Sequence, residues 1–421
     1  MLDLKLIRED PDGVRAALRR RGEGLEAPLD RVIELDRRRR GLLPELEGLR
    51  AEQNEANRRI RASDAPEERD REIGAMRVVA ARVKSLEGEL VATEVELQDA
   101  MGALPNLPDA SAAPGPEDEV VRTVGEPASF AFQARDHLEL AGAMIDMDHA
   151  ANLSGSRFAY LRGELVMLEL ALVRWALEKL RDHGFEAVIP PVLVRERALY
   201  GTGFLPDTEQ QIYRLAEDEL YLVGTSEVAL ASLHDGEVID AGALPLRYAG
   251  FSPCFRREAG AAGRDTRGLF RVHQFDKVEM FSFVAPDESE AEHELILAIE
   301  EEILSELGLP YRVVNITVGD LGSSAAKKYD CEAWLPSQGR YRELTSCSNT
   351  TDYQARRLSI RVRRQGAGIQ TPHTLNGTAV AVGRTIIALL ENGQQADGGV
   401  ELPQVLHPYG APAQLAPALP S

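Results

Sequence analysis

Disulfide chemistry, membrane spanning and the familiar phosphate-loop motifs are all missing from this chain. Its only cysteines are Cys254, Cys331 and Cys347. An odd number at wide spacing, without a CxxC pair, argues against a disulfide framework or a zinc site and suits reduced thiols. Nowhere do about eighteen apolar residues run together, and charges interrupt the opening MLDLKLIRED. The expectation is a soluble cytoplasmic protein with neither signal peptide nor membrane span. No GxSxG, no Walker GxxxxGK and no strand-following GxGxxG occurs, which removes the commonest nucleophile and phosphate-loop readings. Lys and Arg, 48 together, are outnumbered by 68 Asp and Glu. A formal net charge of -20 is, as an average, a poor match to nucleic-acid phosphates.

The average conceals local excess. From Arg37 to Arg61 eight arginines face four glutamates, and residues 356–364, RRLSIRVRR, hold five arginines in nine positions. Acidic residues gather elsewhere, in LAEDEL (215–220) and in the helical-looking stretch 287–303. Basic patches on an acidic body fit selective RNA binding and ordinary solvated helix faces equally well.

With 421 residues, 44% of them hydrophobic, the chain is too long for one compact core and fits two or three domains. After a short helix around Asp10 to Arg21, Leu35, Leu42, Leu46, Leu49, Gln53, Ala56 and Ile60 recur at heptad-like steps. Ile73, Met76, Ala80, Val83, Leu90, Leu97 and Met101 do the same. Between them Ser63 to Glu68 carries Pro66 at a helix start. Two helices of about thirty residues joined by so short a turn run antiparallel, as an arm roughly 45 Å long at 1.5 Å per residue. Pro44 lies inside the first helix, and at about 3 kcal/mol it predicts a kink or local break. Arg58, Arg59 and Arg61 cluster at the tip, where a partner would meet them. The expected division is 1–103 for the domain bearing this arm, 104–135 for a proline-rich linker, 136–410 for an α+β domain on an antiparallel sheet with flanking helices, and 411–421 for a disordered tail.

The most informative stretch is Phe255-Arg256-Arg257-Glu258-Ala259-Gly260, followed by Arg271 to Glu279. Two runs of every-second-residue patterning flank a loop with Gly260, Gly263 and Gly268, which predicts two antiparallel strands and a long turn. Arg256 and Glu258 share one face, and so do Arg271, His273, Phe275, Lys277 and Glu279 on the return strand. Guanidinium groups for phosphates, a ring for a base and a carboxylate thus lie along one surface. No ligand-spaced Cys or His accompanies His273, so it reads as structural or as flanking a phosphate rather than as a zinc ligand.

This arrangement resembles motif 2 of class II aminoacyl-tRNA synthetases, and FRREAGAAGRDTRGLFRVHQFDKVE resembles the seryl-tRNA synthetases in particular. Gly184-Phe185-Glu186-Ala187-Val188-Ile189-Pro190-Pro191, after a helix, is similar to motif 1, the dimer-interface element of the class. Thr374 to Arg384, TLNGTAVAVGR, is similar to motif 3. Thr225-Ser226-Glu227 looks like the family's TxE loop for the serine ammonium group. Glu343-Leu344-Thr345-Ser346 resembles the strand that contributes a magnesium and ATP ligand.

The resemblance implies ATP-dependent attachment of L-serine to tRNA(Ser) through a seryl-adenylate, with tRNA(Sec), where present, as a second acceptor. Two rival readings are a carrier-protein-loading paralogue and a catalytically inactive RNA-binding regulator. By the same resemblance, Arg256, Glu258, Arg271 and Arg384 are catalytic, while Thr225, Glu227, Arg256, Glu279 and Thr378 hold serine. ATP is held by Arg256, Arg257, Glu258, Arg271, Val272, Phe275, Glu343, Leu344, Thr345, Ser346, Asn376 and Arg384. Arg257 departs from the small residue often found there and is expected to point away from the ligands. Mg²⁺ is expected at Glu343 and Ser346, with no zinc. The helical arm, through Arg58, Arg59 and Arg61, contacts tRNA. A homodimer is implied.

Overall fold

A computed structural model describes residues 1–206, 211–259, 265, 267–364, 366 and 368–418. Gly260 and Gly263 of the motif 2 loop fall outside these. The chain divides into two compact units, Leu2–Pro105 and Asn106–Ser421 with Met1.

The first unit is helical: α1 (Leu4–Glu9), α2 (Pro11–Arg21), α3 (Glu26–Ala62) and α4 (Pro66–Ala103). Helix α3 pairs with α4 along an apolar seam in which Leu42 and Leu46 pack on Val83 and Leu86. The predicted break at Pro44 does not occur, and α3 runs through it. Burying Leu42 and Leu46 on either side contributes about 1.5–3 kcal/mol each, enough to offset a proline cost of about 3 kcal/mol. Ile73, expected in the seam, stays 40% exposed. At the tip Arg59 makes two bonds to Glu72, 3.1 and 3.2 Å, and Arg58, Arg59 and Arg61 are all exposed.

The second unit is built on eight strands: β1 (Glu119–Val124), β2 (Glu186–Val188), β3 (Leu246–Phe255), β4 (Gln274–Val284), β5 (Tyr311–Asn315), β6 (Lys327–Leu335), β7 (Arg340–Thr351) and β8 (His373–Ala381). Their order is β1-β5-β6-β7-β8-β4-β3-β2, antiparallel except for the edge pair β2–β3. Helices α5 (Glu164–Asp182), α6 (Ser289–Glu306) and α7 (Val382–Asn392) pack against the sheet. Their apolar faces meet buried strand residues such as Val278, Met280, Cys347 and Val380 in one core. The α+β expectation therefore holds. No described helix is long and apolar enough to cross a membrane.

The stretch read as a linker and the one read as a disordered tail both contain paired strands. Within 104–135, β1 pairs with β5, and Asn106 Nδ2 donates to the carbonyls of Ser324 and Thr350 at 2.9 and 2.8 Å. Within the expected tail, Gln414–Leu415 pairs with Val400–Glu401, and Leu415 is 1% exposed. Composition counted the prolines and alanines there, but a single buried leucine anchors the strand. Residues 419–421 lie outside the described set.

Candidate active site

Strands β3 and β4 form the expected hairpin, in register from Phe255 opposite Gln274 to Leu246 opposite Phe283. Its loop end supplies one wall of a narrow cavity of about 90 Å³. Arg256 and Glu258 enter from beyond β3; Arg271, Val272, Phe275 and Lys277 from the β4 side. Glu343, Leu344, Thr345 and Ser346 of β7 form the opposite wall, closed by Thr378 and Arg384.

Strand β4 begins only at Gln274, so the period-two face read back to Arg271 does not extend that far. Arg271, Phe275 and Lys277 still converge, but His273 turns aside. Its Nδ1 meets the carbonyl of Arg256 at 2.9 Å, and its ring lies against Phe158 and Tyr213. It lines neither this cavity nor the one adjoining it. Arg257 likewise lines neither cavity; its backbone N–H donates to Gln211 O at 2.9 Å. Its inclusion among the ATP contacts is therefore not matched by the geometry.

Charge in the first cavity is organised by arginines. The Arg256 guanidinium lies over the Phe275 ring, 5.2 Å from its centre. Arg271 donates to Glu258 at 2.5 Å, and Glu258 itself holds φ 51°, a left-handed backbone uncommon for a non-glycine residue. Sequence reading missed Phe270, whose ring is flanked by Arg342 at 3.7 Å and Arg384 at 4.7 Å. Aromatic faces attract such cations and hold them without neutralising them. Arg384 also reaches the backbone carbonyl of Glu343 at 3.1 Å and its carboxylate at 3.3 Å. Burial opposes ionisation of Glu343, but Arg384, Lys328 and Arg256 together hold its carboxyl down at about 2. It keeps 42% side-chain exposure because it faces the open cavity.

A bulge decides where Glu343 points. Across β6 and β7, Cys331 lies opposite Thr345 and Glu332 opposite Glu343, so Leu344 is the extra residue. That shift brings Glu343 to the cavity together with Ser346, against simple alternation. A second bulge pairs Val278 with Val380 but Glu279 with Thr378.

Next to the first cavity is a second of about 350 Å³, and the two share Arg256, Lys277, Ser346 and Thr378. Thr225, Glu227, Glu279 and Thr378, the four residues other than Arg256 assigned to serine, meet here. Asn376 does too, in this cavity rather than with the nucleotide residues. Thr225 Oγ1 accepts from the backbone of Glu227 at 3.2 Å, and the following short helix, Glu227–Ala231, seats the carboxylate beneath the sheet. Gly250 of β3 permits this approach, since a Cβ there would come within 2.8 Å of Leu230. Gln354 Nε2 donates to Glu227 at 2.7 Å.

Both carboxyls are buried. Burial raises Glu227 above its ordinary value despite Gln354 and Lys277. Burial likewise pushes Glu279 up to about 7, with its ion-pair partner Lys277 opposing and Glu227 adding. Two buried acids beside one lysine leave the pocket receptive to a further cation. Sequence reading also missed Lys328, which lines this cavity and pairs with Asp330 at 2.8 Å. Its signal was the alternation Lys328–Asp330 on one strand face. Among the described residues no cluster of three metal-ligating Asp, Glu, His or Cys side chains occurs.

Comparison with known proteins places the chain in a family. Residues 211–393 match the model of the tRNA synthetase class II core domain (G, H, P, S and T), and residues 1–108 that of the seryl-tRNA synthetase N-terminal domain. The serine–tRNA ligase of Acidothermus cellulolyticus is 50% identical, over 97% of this chain and 98% of its own. The crystal structure of seryl-tRNA synthetase from Pyrococcus horikoshii, complexed with ATP, is similar at TM-score 0.93 and 41% identity over 100% of both chains. That of the cytoplasmic serine–tRNA ligase from Naegleria fowleri with AMP is similar at TM-score 0.87 and 31% identity, over 99% and 98%.

Proposed function

The chain belongs to the seryl-tRNA synthetase family, class II enzymes that join serine to tRNA, and from that premise we propose that it works through a seryl-adenylate made where its two cavities meet. The observation carrying this reading is the shared wall. An arginine-lined slot with an aromatic floor opens, through Arg256, Lys277, Ser346 and Thr378, into a pocket with two buried carboxylates. The slot suits a nucleotide and its phosphates; the pocket suits an ammonium and a hydroxyl.

In the first step a serine carboxylate oxygen attacks the α-phosphorus of ATP, a P–O bond forms, and the bond to pyrophosphate breaks. No protein nucleophile is needed, so positioning and charge stabilisation supply the rate. Arg256, common to both cavities, reaches the α-phosphate and the serine carboxylate. Adenine takes its place on Phe275 beside Glu258, while Arg271 and Arg384 hold the far phosphates. Thr225 and Glu227 hold the serine ammonium; Glu279, opposite Thr378, accepts from the hydroxyl. In the second step a terminal tRNA adenosine hydroxyl attacks the seryl carbonyl, and AMP leaves.

The oxygen donors of Glu343 and Ser346 suit a hard cation that takes its remaining ligands from substrate phosphates. Mg²⁺ bound there would neutralise phosphate charge. The low position of the Glu343 carboxyl keeps that donor ionised at neutral pH.

Transfer to tRNA rather than to a carrier protein is supported by the complete helical arm, with Arg58 and Arg61 exposed at its tip. tRNA(Ser) is the proposed acceptor, with tRNA(Sec) where present. A homodimer is supported by uncovered apolar side chains: Val166, Met167 and Leu170 on α5 are 37%, 45% and 55% exposed, and Ile189, in the stretch similar to motif 1, is 82% exposed. Serine-dependent exchange of pyrophosphate into ATP, followed by charging of purified tRNA with each amino acid in turn, tests the reading. Exchange driven by an amino acid other than serine would refute it.

A further inference from the structure

Helix α6 buries a carboxyl that the chemistry above leaves unused. Glu300 is 0% exposed and lines neither cavity. Its Oε2 accepts from the Thr345 hydroxyl at 2.8 Å, inside the core. Its Oε1 lies over β8, where a Cβ on Gly377 would come to 2.9 Å from that oxygen and 2.3 Å from Ile296. The glycine leaves the space into which the acid fits. Burial, with Thr345 opposing and Asp330 and Glu279 adding, drives Glu300 well above the ordinary carboxyl value.

Thr345 is the first residue after the bulged Leu344. At a bulge the choice of extra residue decides which side chains face which way, and a slip by one residue reverses them. A hydroxyl tied down from behind removes that choice. With Thr345 held against α6, Glu343 and Ser346 are left to the cavity, where Glu343 meets Arg384.

We propose that Glu300 is a positioning residue whose bond to Thr345 locks the β7 bulge and so holds Glu343 and Ser346 in the nucleotide cavity. This rests on reading that cavity as the ATP site. The test is pyrophosphate exchange with ATP and serine varied separately. Glu300→Leu keeps the volume and removes the acceptor; Glu300→Gln keeps a neutral acceptor oxygen. Glu300→Leu should raise KM for ATP about tenfold with KM for serine within about twofold, and Glu300→Gln should stay within about threefold of wild type. In a Thr345→Val background, Glu300→Leu should add nothing.

An unchanged ATP KM in Glu300→Leu, equal rises for both substrates, or additive effects with Thr345→Val would each overturn the proposal. Should Glu300→Leu fail to fold, Thr345→Val must itself show the ATP-selective defect, and adding Glu300→Gln to it must change nothing; any other result overturns the proposal. A wild-type protein without serine-dependent exchange would refute the functional reading itself, whereas an active wild type with an ATP-neutral Glu300→Leu refutes only the positioning role.

Discussion

Glu279→Ala should abolish most serine activation while leaving the nucleotide slot able to bind. Glu279 is 2% exposed, so a serine hydroxyl donating to it would make a charge-assisted bond away from water. Removing the acceptor leaves that hydroxyl unpaired in the transition state, at about 2 to 4 kcal/mol, or about 30- to 1,000-fold in kcat/KM for serine. The burial that makes the bond strong also pushes the carboxyl up to about 7. Below that pH the group is protonated, and the bond it accepts from the serine hydroxyl loses its charge assistance. Serine kcat/KM should therefore fall about tenfold between pH 8 and pH 6, and Glu279→Gln should flatten that limb. Stability moves the other way. A carboxyl raised in the folded state favours folding at low pH, and that contribution is lost as pH rises through about 7. Glu279→Gln should thus melt higher than wild type at pH 8 and show little gain at pH 5. The assay is serine-dependent pyrophosphate exchange across pH, paired with thermal melts. Exchange by Glu279→Ala within about threefold of wild type, or an acid limb that persists in Glu279→Gln, would refute the assignment.

Three further outcomes are expected. Arg384→Ala removes a cation that, with Lys328 and Arg256, offsets burial to hold Glu343 at about 2; KM for ATP should rise at least about tenfold, and an unchanged value would remove Arg384 from the phosphate site. Replacing residues 40–93 with a short Gly-Ser linker spares the base of the hairpin, where Arg8 bonds Asp36, and should leave exchange intact while tRNA charging collapses and loses its steep salt dependence. Charging equal to that of the intact chain would sink the arm's role. Light scattering should give about twice the 46.2 kDa chain mass, and Met167→Glu with Ile189→Glu should shift it toward one chain; full activity from a wild-type monomer would contradict the dimer.

Much of the site was legible because its chemistry is written in short runs. Arg256 and Glu258, the Phe275–Glu279 alternation, Thr225 with Glu227, and Arg384 at a helix start each combine residue types that local periodicity places on one face. The helical arm was legible for the same reason, since heptad steps depend only on neighbours in sequence. Failures came where a distant contact overrode a local rule. Pro44 is absorbed because Leu42 and Leu46 are buried against α4. Leu415 anchors a strand inside a tail whose composition reads as disordered. His273 leaves the ligand face because β4 begins one residue later.

Local patterning by itself determined the helices, the hairpin and which residue types would carry charge, because these follow from side-chain spacing along a few turns or a few pleats. Only the tertiary structure decided that Phe270 sits between two arginines, that Lys328 joins the second cavity, and that Glu343 faces inward at all. Glu343 is the sharpest instance: alternation from Ser346 would point it away. It is the bulge at Leu344, paired across β6, that turns it to Arg384. A strand's register is a property of its neighbours, and no run of residues read alone contains them.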